Sequence, residues 1–284
     1  MIYNHVKEIA VVYYDLAVLL YILSFLSLLI NYYFNKPIFQ TLQMLFVGIA
    51  IFANATQILM QWLRMSSAPV YTLQALLILV SLMLAVVYLL INLRYKRPYA
   101  GVTLLPMIIT AGLVSLFFTT EPVHSQALAS LWLYVHIPLN VIGTALFLTA
   151  FTAGLMYFLL ERRLKAKRFG RMFDRFPPLA VIDTINSAAL HLGFAFYTAG
   201  LLTAAAWMRF KFHKAMGGIN ISDAFGGSLQ NKIVLVCMVW LVVAVILLTK
   251  RVRGMSARQT ALASVTGFAS VILTYTGVVL FITR

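Results

Sequence analysis

Ala129-Ser-Leu-Trp-Leu-Tyr-Val-His-Ile-Pro-Leu-Asn140 opens an apolar stretch that runs to Leu160 without one charged side chain. A helix needs roughly 20 such residues to cross a bilayer, and this stretch is too long and too apolar for a soluble domain. The next residues, Glu161-Arg-Arg-Leu-Lys-Ala-Lys-Arg-Phe-Gly-Arg171, form a dense cationic run of the kind retained on the cytoplasmic side of a membrane. The junction therefore orients the span. It also puts His136 near the outer end, where an imidazole among apolar side chains calls for a reason.

The whole chain repeats this character. Of its 284 residues 62% are hydrophobic and only 10% charged, against about 25% charged in soluble domains. An all-α, polytopic integral membrane protein follows. The net charge of +15 sits in short clusters between apolar spans, which marks cytoplasmic retention and excludes a nucleic-acid-binding face. A single cysteine, Cys237, rules out a disulfide pair and a Cys-x-x-Cys redox couple. The first residues, Met1-Ile-Tyr-Asn-His-Val-Lys-Glu8, lack the charged start and small-residue cleavage site of a removable signal peptide, so the first span is expected to stay.

Eight apolar segments are expected, at about 10–33, 38–62, 70–93, 99–119, 129–160, 182–208, 232–249 and 259–282. Together they make a single eight-helix membrane domain over 1–284, with a basic cytoplasmic loop at 161–181 and an external, glycine-rich loop at 209–231. Loops on one side hold 15 of the 22 Lys and Arg residues, which sets both termini outside a plasma (inner) membrane. Pro106 and Pro138 interrupt spans four and five, as membrane helices tolerate. Small residues at Ala195, Ala199, Gly200 and Ala204, and at Ala261, Ala263, Gly267 and Ala269, predict close helix packing in spans six and eight.

The histidines carry the chemical interest. With external termini, His5, His124 and His213 fall outside, His136 lies about two turns inside the outer end of span five, and only His191 lies in the inner half. A neutral imidazole is the usual protein ligand of heme iron, so imidazoles clustered toward the outer face suit a heme site there. His136 shares a helical face with Trp132, Asn140 and Gly143. The asparagine is expected to orient the second ring nitrogen, and the glycine to leave room for a flat macrocycle. On span six, Asp183, Ser187, His191, Ala195 and Thr198 form a polar stripe, and His191 is a second candidate iron ligand. For each histidine a plain structural hydrogen bond is the alternative. Asn54, Gln57 and Gln61 recur at helical spacing, as interhelical hydrogen bonding requires. Arg209, Lys211 and Lys214 lie at the outer surface, where they suit heme propionates or anionic lipid headgroups.

No phosphate loop, zinc-protease motif, serine-nucleophile elbow or Cys-x-x-Cys-His is present, and the seven carboxylates are not paired within a span. No enzyme is expected and no catalytic residue is assigned. Three function classes stay open: a heme-holding protein, a regulator acting through the basic loop, and a small-molecule permease.

Certain stretches resemble a known family. Arg64-Met-Ser-Ser-Ala-Pro-Val-Tyr-Thr-Leu-Gln-Ala-Leu76, Val135-His136-Ile137, Glu161-Arg162-Arg163, Pro177-Pro178 and Leu190-His191-Leu192-Gly193-Phe194 occur in the order and context seen in the cytochrome c assembly proteins, specifically CcsA-like and HemX-like members. The resemblance implies an eight-span heme handler, with heme b as cofactor. By it, His136 matches the external histidine that precedes the basic loop, and His191 lies in the helix that carries an intramembrane histidine. It also implies a partner, either a second cytochrome c assembly subunit or the tetrapyrrole-synthesis enzyme glutamyl-tRNA reductase. Residues 209–231 lack tryptophan, and no histidine follows His213. Both departures favour the HemX-like branch.

Overall fold

A computed structural model describes residues 2–64, 73–95, 100–118, 131–167, 176–214 and 227–282, with side chains at 12–60, 74–95, 100–118, 135–167, 176–209 and 234–269. Among them are eight α-helices and no strand. The helices are α1 (Ile2–Phe34), α2 (Pro37–Arg64), α3 (Leu73–Tyr95), α4 (Gly101–Ser115), α5 (Leu131–Lys165), α6 (Leu179–Lys214), α7 (Gly227–Arg253) and α8 (Ala257–Ile282). Six of them are long and apolar enough to cross a membrane, counted over the described residues. The fourth is shorter than expected: 15 residues rise only about 22 Å, less than the roughly 30 Å hydrocarbon core.

Local chemistry sets several helix ends. After α1, Asn35 takes a left-handed φ of 52° and returns its N–H to Asn31 O at 2.9 Å. Pro37 then starts α2, where its missing N–H costs nothing. Before α8, the Ser256 and Gln259 side chains each accept the other residue's backbone N–H, at 3.3 and 2.9 Å, a capping box. The apolar edge of a span does not end a helix. Glu161–Lys165 continue α5, with Lys165 Nζ 2.8 Å from Glu161 Oε1, so the basic run begins on the helix and only then turns at Lys167, φ 51°. Likewise α6 runs on to Lys214 and α7 starts at Gly227. Residues 209–214 are therefore helical where the sequence suggested loop, and 215–226 lie outside the described residues. Lys and Arg are good helix formers whose stems reach along the helix to water, so the backbone ladder continues past the hydrocarbon boundary.

The chain divides into two compact units, Met1–Tyr134 with Leu160–Pro178, and Val135–Leu159 with Leu179–Arg284. In the first, Tyr14, Ala17, Tyr21, Ser24, Leu28 and Asn31 of α1 are buried, spaced alternately three and four residues apart. On α2 the buried series is Gln43, Val47, Ala50, Asn54 and Gln57, and on α3 it is Ile78, Ser81, Ala85, Tyr88 and Asn92. Such spacing keeps one seam of each helix facing its neighbours. Polar residues join the seams through hydrogen bonds: Tyr14 Oη donates to Gly112 O at 2.6 Å and lies against Ser115 Oγ, Ser24 donates to Gln43 O at 3.2 Å, and Gln43 Nε2 donates to Tyr88 Oη.

The second unit packs α6, α7 and α8 with Val135–Leu159 of α5. Ring contacts join Phe147 to Tyr197 at 5.5 Å, Phe151 to Phe268 at 4.9 Å and Phe194 to Trp240 at 5.4 Å. Ser264 Oγ donates to Asn186 Oδ1 at 2.9 Å. A small, partly open pocket of about 20 Å³ lies among Phe147, Leu190, Val243, Ile246, Ser264 and Phe268, its walls largely apolar.

Candidate functional site

Close approach of α5 and α6 builds the surroundings of His136. A Cβ placed on Gly143 would come 2.9 Å from Tyr197 Cβ and 3.1 Å from Gly193 O, and one on Gly200 would run into the Asn140 side-chain amide. Glycine at both positions lets the two backbones meet. The space at Gly143 is therefore filled by α6, which corrects the expectation that it admits a flat macrocycle. Its physical reason is that α5 is clamped by a neighbour on the face that holds His136.

At this contact His136 Nδ1 lies 2.7 Å from the backbone O of Gly200. A carbonyl only accepts, so Nδ1 carries the proton and Nε2 keeps its lone pair. Thr203 Oγ1 is 3.3 Å from the same Nδ1, and that hydroxyl also donates to Gly200 O at 2.6 Å. Asn140 also reaches the ring. Its amide donates to His136 O at 2.8 Å and stands 3.2 and 3.3 Å from the two ring nitrogens. Gly200 O fixes Nδ1, and Asn140 stands at hydrogen-bond distance from the second ring nitrogen, Nε2. Sequence reasoning placed Gly200 among packing residues and missed its role, because a backbone carbonyl leaves no mark in side-chain chemistry.

His191 stands elsewhere. It is exposed on α6, and its Nδ1 lies 2.7 Å from Ser187 O, one turn back in its own helix. The Nδ1–H tautomer again leaves Nε2 free. Two members of the polar stripe around it meet α7: Lys250 Nζ donates to Ser187 Oγ, and Trp240 Nε1 donates to Thr198 Oγ1 at 2.9 Å. Asp183 Oδ1 is buried without a hydrogen-bond partner among the described residues. Gly200 and His191 are nine residues apart on one helix, about 14 Å along its axis. His136, bonded at Gly200, and His191 thus occupy different levels.

Of the other expected ligands, Arg209 has a described side chain and the rest do not. Arg209 is exposed on the last turns of α6. His213 and Lys211 lie on the same helix, with side chains outside the described residues, and His124 lies outside them altogether. Among the described residues no group of three or more His, Cys, Asp or Glu could hold a metal ion. Iron held by one or two axial imidazoles does not need such a group, because the macrocycle supplies the other donors.

A family model described as cytochrome C assembly protein matches residues 4–283. This chain belongs to the cytochrome c assembly protein family. Within it, the chain is 26% identical over 154 residues to the cytochrome c biogenesis protein CcsA of Chlamydomonas reinhardtii, an alignment covering 54% of this chain and 39% of that protein. The chain thus spans well under two thirds of that relative. The family's description names cytochrome c assembly, and membership agrees with a multi-pass membrane fold. The residues present fit a heme at the level of chemistry: His136 and His191 each have Nδ1 pinned to a carbonyl, the arrangement usual for metal-ligating histidines, and at His136 the Asn140 amide, 3.3 Å from Nε2, would have to turn aside for iron.

Proposed function

We propose that this family member holds heme b, non-enzymatically, at the outer side of a plasma membrane, with His136 Nε2 as an axial ligand. The observation that carries this is the 2.7 Å bond from His136 Nδ1 to Gly200 O, which sets the tautomer and the ring plane. Heme, when bound, would supply the iron that is handed on or sensed. The protein's residues would bind and orient it: His136 by its lone pair, with Asn140 close by on the same face, and Arg209 and Lys211 at the outer end of α6, where their charge suits propionates. His213, and after it His124, are the proposed second axial partners of His136. His191 would serve a separate inner site or no heme at all. A role in the HemX-like branch, with a second assembly subunit or glutamyl-tRNA reductase as partner, is part of the same proposal. The full chain purified in mild detergent and loaded with hemin should show a Soret band with bound stoichiometry. A chain that stays colourless after loading overturns the reading.

The proposed orientation has its own check. Cysteines introduced at Ser125 and Ala166 in a Cys237→Ser background should react from outside and only after permeabilisation, respectively. The reverse pattern would put His136 on the cytoplasmic side.

A regulatory reading rests on the cationic run that continues α5 beyond Leu160. Neutralising Arg168, Arg171 and Arg175 should then alter the cellular level of glutamyl-tRNA reductase with the Soret band unchanged; an unaltered level removes this reading. The permease class gains little from the polar stripe of α6, since Ser187 and Thr198 are bonded to α7 and His191 to its own backbone, with Asp183 Oδ1 the stripe's atom that lacks a partner among the described residues.

A further inference from the structure

Where the basic end of α7 meets α6, the second unit holds a charge that nothing in the described residues neutralises. Lys250 is half-buried, and its Nζ donates to Ser187 Oγ across the two helices. An ammonium has three donors, and this neutral hydroxyl takes only one. Ser187 O is occupied by His191 Nδ1, at 2.7 Å. Asp183 lies one turn from Ser187, yet no ion pair joins it to Lys250, and its Oδ1 is buried with no hydrogen-bond partner among the described residues. A partly buried cation without a counter-charge is costly, so an anion from outside the protein is called for.

The level of the ammonium says which anion. The 36 residues of α6 rise about 54 Å, against roughly 30 Å of hydrocarbon, so with the helix centred about 12 Å at each end lies among headgroups. Ser187 stands eight residues, again about 12 Å, from Leu179 at the start of α6. Side chains lean toward the N-terminus of their helix, so Lys250, near the end of α7, leans back to this boundary and not out to water. Arg251 and Arg253, exposed beyond it, add positive charge on the headgroup side. On the hydrocarbon side Leu192 of α6 and Val245 and Leu248 of α7 are exposed. Access from the lipid is open: Thr184 and Ala188, which flank Ser187 on α6, are both exposed, and only 6% of the apolar stretch of α7 is buried. We infer that the α6–α7 contact at Ser187 and Lys250 binds a lipid phosphodiester, an anionic headgroup whose phosphate meets the Lys250 ammonium and whose chains lie along Leu192, Val245 and Leu248. Basic pockets between membrane helices hold anionic headgroups in this way. Free phosphate would meet the same ammonium and gain nothing from the apolar side chains beside it.

This inference stands apart from heme and from the proposed orientation. Its test uses the full chain in phosphatidylcholine nanodiscs with a trace of phosphatidylglycerol that carries a diazirine at the start of one acyl chain, the cross-links being mapped by mass spectrometry. Val245 and Leu248 should be labelled several-fold above the level that a phosphatidylcholine probe with the same diazirine gives. Lys250→Gln should bring the label down to that level, and Lys250→Arg should keep it. Arg163→Gln removes an equal charge from the exposed end of α5 and should leave the label at Leu248 unchanged. Should Lys250→Gln fail to fold, Ser187→Ala, which removes the anchor of the ammonium, should still lower the label. Equal labelling by the two probes, equal losses in Arg163→Gln and Lys250→Gln, or displacement by millimolar inorganic phosphate overturns the inference. So does a several-fold gain in Asp183→Asn, which would make Asp183 the counter-charge of Lys250.

Discussion

His136→Ala removes most of the Soret absorbance from heme-loaded protein, while His191→Ala leaves the His136-dependent signal in place. The first result follows because alanine takes away the donor nitrogen, and nothing else on that face of α5 can ligate: Asn140 offers an amide whose nitrogen has no lone pair for iron. The second follows from level. Gly200, which holds His136, is about 14 Å from His191 along α6, whereas a metal–nitrogen bond is about 2 Å, so one iron cannot take both imidazoles. His136→Gly supplies the control for misfolding, because exogenous imidazole should restore the band in a folded cavity. Loss of one and the same bis-histidine spectrum in both His136→Ala and His191→Ala would sink the two-level arrangement.

The second large effect belongs to Gly200. Gly200→Leu should destabilise the second unit by roughly 1–3 kcal/mol, as overpacking of a close contact does. At this chain length that lowers Tm by about 2–12 °C. The cause is specific, since the atoms nearest a new Cβ are those of the Asn140 side chain. Gly200→Ala should therefore be destabilising on its own and substantially rescued by Asn140→Ala, a coupling that a double-mutant cycle in thermal stability measures. Strict additivity would show that the α5–α6 contact is looser than the structure has it. The rescued double variant should also keep its Soret band, because Gly200 O, the acceptor for His136 Nδ1, is a backbone atom that both substitutions leave in place.

Much of this protein is legible in the chain before folding. Long uncharged runs such as Ala129–Leu160 mean membrane helices because a bilayer offers no partner for an unpaired backbone, and eight helices duly form near the expected positions. Helix ends were less legible. Nothing in the change from apolar to basic residues at Leu160 and Trp207 stops the hydrogen-bond ladder, and so α5 reaches Lys165 and α6 reaches Lys214.

His136 itself could be singled out from sequence, since an imidazole in an apolar run is conspicuous. What holds its ring could not. The partner is the carbonyl of Gly200, 64 residues away, and any residue type carries a carbonyl; only the close packing of α5 on α6 decides which one meets the ring. The same packing turned Gly143 from open space into a helix contact. Composition and spacing, which act along one helix, thus determined the membrane class, the helix order and the candidate ligands. Tertiary structure alone decided the tautomer of His136, its separation from His191 and the polar seam of α1 and α2, because those depend on which backbones approach within a hydrogen bond's length.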